Sequence, residues 1–410
     1  MSTPAKVRRT VKEHRAAVTA LLAGSSPGTE EVPVAAAAGR VLAEDVVAAV
    51  GLPVFTNSAM DGYAARWADV GAAAAGAPVR LPVAEDLPAG RTDVPALAPG
   101  TVHRIMTGAP LPDGADVVVP VEDTDGGTDE VTITASPAAG TFLRHAGEDI
   151  AQGAVALPAG TVLGPAQLGL AASVGRASVV VARRPRVLVL STGSELVAPG
   201  QPLRPGQIHE SNSLVLAAAV DAAGGAARTL HFVPDDVDQF LATVRAELAD
   251  ADLLITSGGV SMGAYEVVKD ALGALGTVQF LTVAMQPGGP QGAGTVDGVP
   301  VVTLPGNPVS SFVSFEVFVR PALRTALGVG RPDRPRLPAR LAGPLTSPSG
   351  KRQFLRGRLS GGTVELVGGA GSHLVASLAR SDVLVVVPEE VTELPAGSEV
   401  EVVLVGGGER

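Results

Sequence analysis

Between residues 183 and 331, short apolar runs alternate with stretches of helical spacing, and this alternation restricts the fold more than any other feature. Residues 186–190 read Arg-Val-Leu-Val-Leu, a continuous apolar strand. A helix over 214–223, a strand over 227–232, a helix over 237–248 and a strand over 253–256 follow. Next come a helix over 267–275, strands over 278–283 and 299–304, and a last helix starting near Val309. Strands that are apolar throughout are buried on both faces, and intervening helices supply the cover. The pattern therefore predicts a doubly wound parallel sheet.

The rest of the chain has another texture. Its 50 glycines and 33 prolines make up about one residue in five, against an average of about 12%, so turns are frequent. Residues 27–52 hold a short helix and a strand within 41–50. Short strands over 79–83, 102–106, 117–121 and 131–135 lie between Gly/Pro turns, and 144–182 contains further short apolar pieces. This suggests one β module inserted into another: residues 1–52 with 144–182 form a mixed domain carrying the N-terminal helix, and 53–143 an inserted β-rich domain. The run 331–338, Arg-Pro-Asp-Arg-Pro-Arg-Leu-Pro, reads as a linker. Strands over 354–359, 364–367, 383–387 and 400–405 then make 332–410 a small all-β domain. The expected class is multidomain, α+β and α/β.

Several functions are disfavoured by composition. Aromatic residues are only 3% of the chain and its net charge is −10, so neither base-stacking platforms nor a phosphate-backbone footprint is present. Nucleic acid is not an expected partner. There is no cysteine, which removes thiolate metal sites, iron–sulfur clusters and a cysteine nucleophile. No apolar run approaches a membrane span. Lys6, Arg8, Arg9 and Lys12 precede an apolar run, as in a signal peptide. Thr10 and Glu13 instead form a capping box, and Val7, Val11, Val18, Leu21 and Leu22 recur at helical spacing. An amphipathic helix and a cytoplasmic location are expected.

Three loops carry the chemistry. The strand at 186–190 runs into Ser191, Thr192, Gly193, Ser194 and Glu195. The strand at 253–256 runs into Ser257, Gly258, Gly259, Val260, Ser261. The strand at 299–304 runs into Pro305, Gly306, Asn307, Pro308, Val309 and Ser310, directly before a helix. Parallel strands end at one sheet edge, so these loops should converge in a crevice there. Glycine lets backbone N–H groups approach an anion, and the inference is a phosphate-bearing ligand. Each loop alone could be a tight turn, and Ser310 a helix cap. None matches a Walker A loop or the dinucleotide fingerprint. Carboxylates gather as well: Asp61 in a loop with almost no other charge, Glu148 and Asp149, Glu195, and the Asp235/Asp236 pair. Beside a polyphosphate, such acids usually imply a bridging Mg²⁺; taken alone, Asp235 and Asp236 read as a helix N-terminus.

The segments Asn-Ser-Ala-Met-Asp-Gly-Tyr-Ala (57–64), Ile-Met-Thr-Gly-Ala-Pro-Leu-Pro (105–112), Ser-Thr-Gly-Ser-Glu-Leu (191–196), Ile-Thr-Ser-Gly-Gly-Val-Ser-Met-Gly (255–263) and Leu-Pro-Gly-Asn-Pro-Val-Ser-Ser-Phe (304–312) occur in this order. Together they resemble the molybdopterin molybdenumtransferase family, the MoeA type related to the gephyrin E domain, and the resemblance runs over residues 7–405. It implies insertion of molybdate into adenylylated molybdopterin with release of AMP, in the presence of Mg²⁺. It also implies a homodimer, a molybdopterin-binding α/β domain, a barrel-like C-terminal domain, and a cleft shared between one subunit's α/β domain and the other's β module. A molybdopterin adenylyltransferase is a further implied partner. By the same resemblance, Asp61, Glu195, Asp235, Asp236 and Glu266 are catalytic, and Asp61, Asp149, Glu195 and Asp236 bind metal. The ligand positions are Thr107, Ser191, Thr192, Gly193, Ser257, Gly258, Gly259, Ser261, Pro305, Gly306, Asn307, Pro308 and Ser310, with Arg352 and Ser372 contributed by the C-terminal domain.

The chain departs from the family pattern at two places. Where the family often has Met-Lys-Pro-Gly-Lys-Pro, this chain has Met285-Gln286-Pro287-Gly288-Gly289-Pro290, without either lysine. Glu266 stands where an Asp is usual. Two other readings remain at this point. An adenylyltransferase would need only the α/β domain, so the first 180 or so residues argue against it. A non-catalytic dimeric carrier is favoured by the missing lysines and opposed by the retained acids.

Overall fold

The computed structural model describes residues 8–24, 27–74, 76–231, 237–259, 267–275 and 277–406. Its central sheet has seven strands, in the spatial order Arg8–Arg9, Val278–Val283, Pro290–Val296, Val299–Leu304, Leu253–Ser257, Arg186–Ser191 and Ala226–His231. The period-two rule sorts their side chains cleanly. Val187, Val189, Leu253, Ile255, Val302 and Leu304 face a core closed by helices Asn212–Ala223 and Pro308–Ser314. Leu188, Leu190, Leu254 and Val301 face the opposite core, under helices Val237–Leu248 and Val267–Ala274.

The sheet departs from the expectation in two respects. It is mixed rather than wholly parallel, because Pro290–Val296 runs antiparallel to both neighbours. This strand has almost no apolar signal; Gly292 stands where any Cβ would collide with Thr303 Oγ1, so close strand approach selects its composition. Second, the N-terminal helix Val11–Ala23 does not join the domain of residues 27–52. Its capping box forms as expected, with Glu13 N–H donating to Thr10 Oγ1 at 3.2 Å and Thr10 N–H to Glu13 Oε2 at 2.8 Å. Its apolar face, Val11, Val18 and Leu22, then packs into the α/β core. Arg8–Arg9 extends the same sheet beside Val278–Val283.

Around this unit lie three smaller ones. Thr29–Pro33 pairs with Ser178–Ala182, and Val46–Val47 with Val155–Leu157, over a core that includes Leu42, Leu163, Val174 and Val181. Between these two halves the chain leaves and returns through Asn57–Ser58 paired with Leu143–Arg144. The excursion forms a five-stranded sheet around Tyr63, Val102, Val119 and Ile133. Near the C-terminus, Arg352–Ser360, Thr363–Leu366, Arg336–Leu341, Glu399–Leu404 and Val383–Val387 pair in a ring, closed by Val383–Val387 returning to Arg352–Ser360. Closure removes the exposed edges of this small barrel.

The barrel is tied to the α/β unit at several points. Met285–Gln286 pairs in parallel with Arg352–Gln353. On the linker, Arg334 makes a two-pronged contact with the buried carboxylate of Glu316, both at 2.9 Å, and Asp333 pairs with Arg15. No helix among the described residues is long and apolar enough to cross a membrane.

Candidate functional site

Strands Arg186–Ser191, Leu253–Ser257 and Val299–Leu304 are neighbours and parallel, so their C-terminal loops emerge side by side. Hydrogen bonds lock the loops together. Thr192 N–H donates to the Ser257 carbonyl at 3.3 Å, and Gly258 N–H to the Leu304 carbonyl at 3.1 Å. Asn212 is the buried hub beneath them. Its Nδ2 donates to Ser257 Oγ at 2.8 Å and to the Gly306 carbonyl at 2.6 Å. Ser257 Oγ lies 3.2 Å from Ser311 Oγ. Buried hydroxyls and amides paired in this way hold a loop in one geometry.

The loops floor a cleft of about 1320 Å³. One wall is the segment Gln286–Pro287–Gly288, and another is the barrel loop 370–373. Gly288 has φ +97°, and a Cβ there would sit 2.8 Å from Ser314 Oγ. Gln286 Oε1 accepts from Gln353 Nε2 at 2.7 Å, across the junction between the α/β unit and the barrel. Asn307 Nδ2 donates to Ser372 Oγ at 2.8 Å, and Val309 N–H donates to the Ser372 carbonyl at 3.2 Å. The barrel loop is thus seated directly on the Gly-Asn-Pro turn.

The cleft therefore brings together Ser191, Thr192, Gly193, Glu195, Ser257, Gly258, Gly259, Pro305, Gly306, Asn307, Pro308, Ser310 and Ser372. It leaves out Asp61, Thr107, Asp149 and Arg352 of the same chain. Asp61 and Thr107 instead form their own unit. The Thr107 amide, at 2.6 Å, and then its hydroxyl, at 2.8 Å, donate to Asp61 Oδ1 and hold that carboxyl below its usual range. Asp149 is exposed, with its amide donating to the Leu52 carbonyl at 2.9 Å. The Arg352 guanidinium is engaged by Glu389 at 3.0 and 3.2 Å. Asp235, Asp236, Ser261 and Glu266 lie outside the described residues.

Sequence reasoning passed over His209, Glu210 and Asn212, all of which line the cleft. Five polar residues in a row, His209 to Ser213, directly before an apolar helix were the available signal. Glu210 is buried and accepts from the Ser213 amide at 2.8 Å and hydroxyl at 2.5 Å. Gly371 and His373 were also missed, because only the fold carries them 60 residues back to the Gly-Asn-Pro turn at about residue 307.

No three His, Cys, Asp or Glu side chains converge to hold a metal among the described residues. The exposed Glu195 carboxylate folds back against Gly193 at the cleft. One or two carboxylates completed by substrate phosphates suit Mg²⁺, which keeps most of its shell from water and phosphate. The donors present fit a substrate-bridging ion rather than an all-protein cage.

A mixed α/β sheet with this cleft, carrying a split β module before it and a closed barrel after it, is a defined architecture. Three family models match it in order: the MoeA N-terminal region (domain I and II) over residues 9–175, a probable molybdopterin binding domain over 188–325, and the MoeA C-terminal region (domain IV) over 338–405. The chain belongs to the MoeA family. It is 54% identical over 402 residues to molybdopterin molybdenumtransferase 2 of Mycobacterium tuberculosis, covering 96% of this chain and 99% of the relative. Molybdopterin molybdenumtransferase 1 of the same organism is 39% identical over 420 residues, covering 96% and 98%. A crystal structure of the molybdopterin biosynthesis MoeA protein from Pyrococcus horikosii superposes with a TM-score of 0.80 at 34% identity, covering 98% of this chain and all of that one.

Proposed function

We infer that the chain is a molybdopterin molybdenumtransferase, acting in molybdenum cofactor biosynthesis: it inserts molybdate into adenylylated molybdopterin and releases AMP. The observation that carries this reading is the convergence of three Gly/Ser loops and a barrel loop on one cleft, in a chain matching a molybdopterin molybdenumtransferase along nearly its whole length.

The roles follow from chemistry. The backbone N–H groups around Gly259 and Gly306–Asn307, with the Ser310 hydroxyl, suit phosphate oxygens, which gain charge as the phosphoanhydride breaks; donors already in place stabilise that charge without reorganising. Mg²⁺, when bound, supplies further electrostatic stabilisation of the same oxygens. Glu195 would hold it, with Asp61, Asp149 and Asp236 as the remaining expected ligands. Ser310, Ser372 and Arg352 are the expected molybdate contacts, with Arg352 first having to leave Glu389.

Asp61, Thr107 and Asp149 stand outside their own chain's cleft. A two-fold homodimer that sets one subunit's β module over its partner's cleft would give them a role there. We place the reaction in the cytoplasm, with a molybdopterin adenylyltransferase supplying the substrate. Incubation with adenylylated molybdopterin, Mg²⁺ and molybdate should release AMP, and omission of molybdate should abolish the release. Tight substrate binding without AMP would instead indicate a carrier. Light scattering should return twice the 41.0 kDa chain mass; a monomer would remove the shared cleft.

A further inference from the structure

The loops that floor the cleft approach one another backbone to backbone. Gly258 has φ +95°, and a Cβ there would lie 2.7 Å from the Thr192 carbonyl oxygen. A Cβ on Gly306 would lie 3.3 Å from Gly258 Cα. Contact this close leaves no room for a side chain to act as a spacer between the loops. The ladder joining Leu253–Ser257 to Val299–Leu304 ends at the pair Ser257 and Leu304. Beyond that pair, the separation of the Gly-Gly loop from the Gly-Asn-Pro turn has to be set from beneath.

Asn212 stands there, and it comes from a third element. It is the first residue of helix Asn212–Ala223, whose Leu216, Ala219, Val220 and Ala223 are buried in the α/β core. The start of that helix is pinned by Glu210, which accepts from the Ser213 amide and hydroxyl. A carbonyl oxygen only accepts, so the Asn212 atom 2.6 Å from the Gly306 carbonyl is the amide nitrogen. The second hydrogen of that nitrogen goes to Ser257 Oγ at 2.8 Å. Both donors are thus spent on the two loops, one each. Ser257 Oγ passes the contact on, 3.4 Å from the Pro305 carbonyl and 3.2 Å from Ser311 Oγ. The Ser311 amide donates in turn to the Asn307 carbonyl at 2.9 Å.

Asn212, Ser257 and Ser311 are all buried, so water competes little for these bonds. Asn212 Oδ1 is also buried, with no hydrogen-bond partner among the described residues. An orphaned acceptor is a cost of burial that the two contacts of the nitrogen must offset.

We propose that Asn212 is a positioning residue of the transferase reaction: by donating to Ser257 and Gly306 at once, it sets the spacing between the Gly-Gly loop and the Gly-Asn-Pro turn. The backbone N–H groups around Gly259 and Gly306–Asn307 then face the phosphate oxygens of the departing AMP in one geometry. This rests on the molybdenumtransferase reading and adds to it a specific residue. Substrate binding is spread along a cleft lined from Ser191 to His373. The phosphate oxygens, by contrast, gain charge only as the phosphoanhydride breaks. A loosened spacing is therefore felt in kcat rather than in KM.

The test is steady-state AMP release by the full-length protein with adenylylated molybdopterin, Mg²⁺ and molybdate. Asn212→Ala should lower kcat by about 10- to 100-fold, the scale of a small misplacement of catalytic groups, and change KM for the adenylylated substrate by less than about threefold. Asn212→Asp, equal in shape, should be no better, because it sets an oxygen against the Gly306 carbonyl. Ser257→Ala removes one of the two contacts and leaves the helix start intact, so it should show the same split to a lesser degree even if the Asn212 variants do not fold. In the double variant, the loss should be smaller than the product of the two single losses, since both act through one bond. An unchanged kcat in Asn212→Ala, a KM that rises as far as kcat falls, or a double variant whose losses simply multiply overturns the proposal. No AMP release by the native protein is a different result: it removes the transferase reading itself.

Discussion

His14 offers the sharpest test of how the N-terminal helix is held. It is fully buried in the α/β core, neither ring nitrogen has a hydrogen-bond partner, and its ring meets Phe318 edge-on at 4.7 Å and 79°. Burial, aided by Arg9, pushes its pKa from 6.5 down to about 4. A depressed folded-state value means that the unfolded helix takes up a proton below about pH 6.5 that the packed helix refuses until about pH 4. Stability is therefore fully present above the first value and drains away as pH falls towards the second. The lost amount is about 3 kcal/mol, at roughly 1.4 kcal/mol per unit. His14→Leu keeps the apolar packing and removes the titration. Hydrogen exchange of peptides from Val11–Ala23 reads the local opening free energy and avoids assuming two-state unfolding of a multidomain chain. Other groups, including the Glu13 capping carboxyl, titrate equally in both proteins and cancel in the difference. The variant's advantage should grow by about 3 kcal/mol between about pH 7 and pH 4. Parallel curves for native and variant would refute the reasoning.

Glu195→Gln should slow AMP release by about 10²-fold, the scale of a lost electrostatic stabiliser, and single-turnover assays would show it; an unchanged rate would reduce Glu195 to a loop residue. Gln286→Lys combined with Gly289→Lys should lower the molybdate concentration for half-maximal AMP release by roughly tenfold. A Cβ at Gly289 meets nothing closer than 3.5 Å, so the wall accepts the side chain, and an unchanged requirement would show that charge there is irrelevant. Gly288→Ala should destabilise by about 1–2 kcal/mol through its left-handed backbone, with the approach to Ser314 adding to this; an unaltered melting temperature would contradict it.

What the sequence reveals depends on how local each cause is. The strands ending at Ser191, Ser257 and Leu304 were legible because burial on both faces makes them apolar throughout. Their glycine- and serine-rich loops followed at once, since parallel strands share an edge. Pro290–Val296 was not legible, because its hydrogen bonds and close approach to Thr303 hold it in place while its own residues have little strand propensity. The docking of Val11–Ala23 was hidden for a related reason: its main partners, Phe315–Val319 and Arg320–Ala326, lie about 300 residues away, and amphipathic spacing reports a buried face without naming what covers it. The barrel wall of the cleft is equally non-local. Ser372 came from the family resemblance, and the adjacent His373 from the fold alone.

The short parallel pairing of Met285–Gln286 with Arg352–Gln353 has a mechanical consequence. A domain joined only through the 331–335 segment could swing like a door on one hinge. Here the linker is pinned by Arg334 to Glu316, the opposite side is stitched by backbone to the Gln286 wall, and Ser372 is latched to Asn307. Three separated attachments leave a body no free axis of rotation. Pivoting the barrel away to admit substrate or release AMP would break all three attachments and pull out a wall of the cleft.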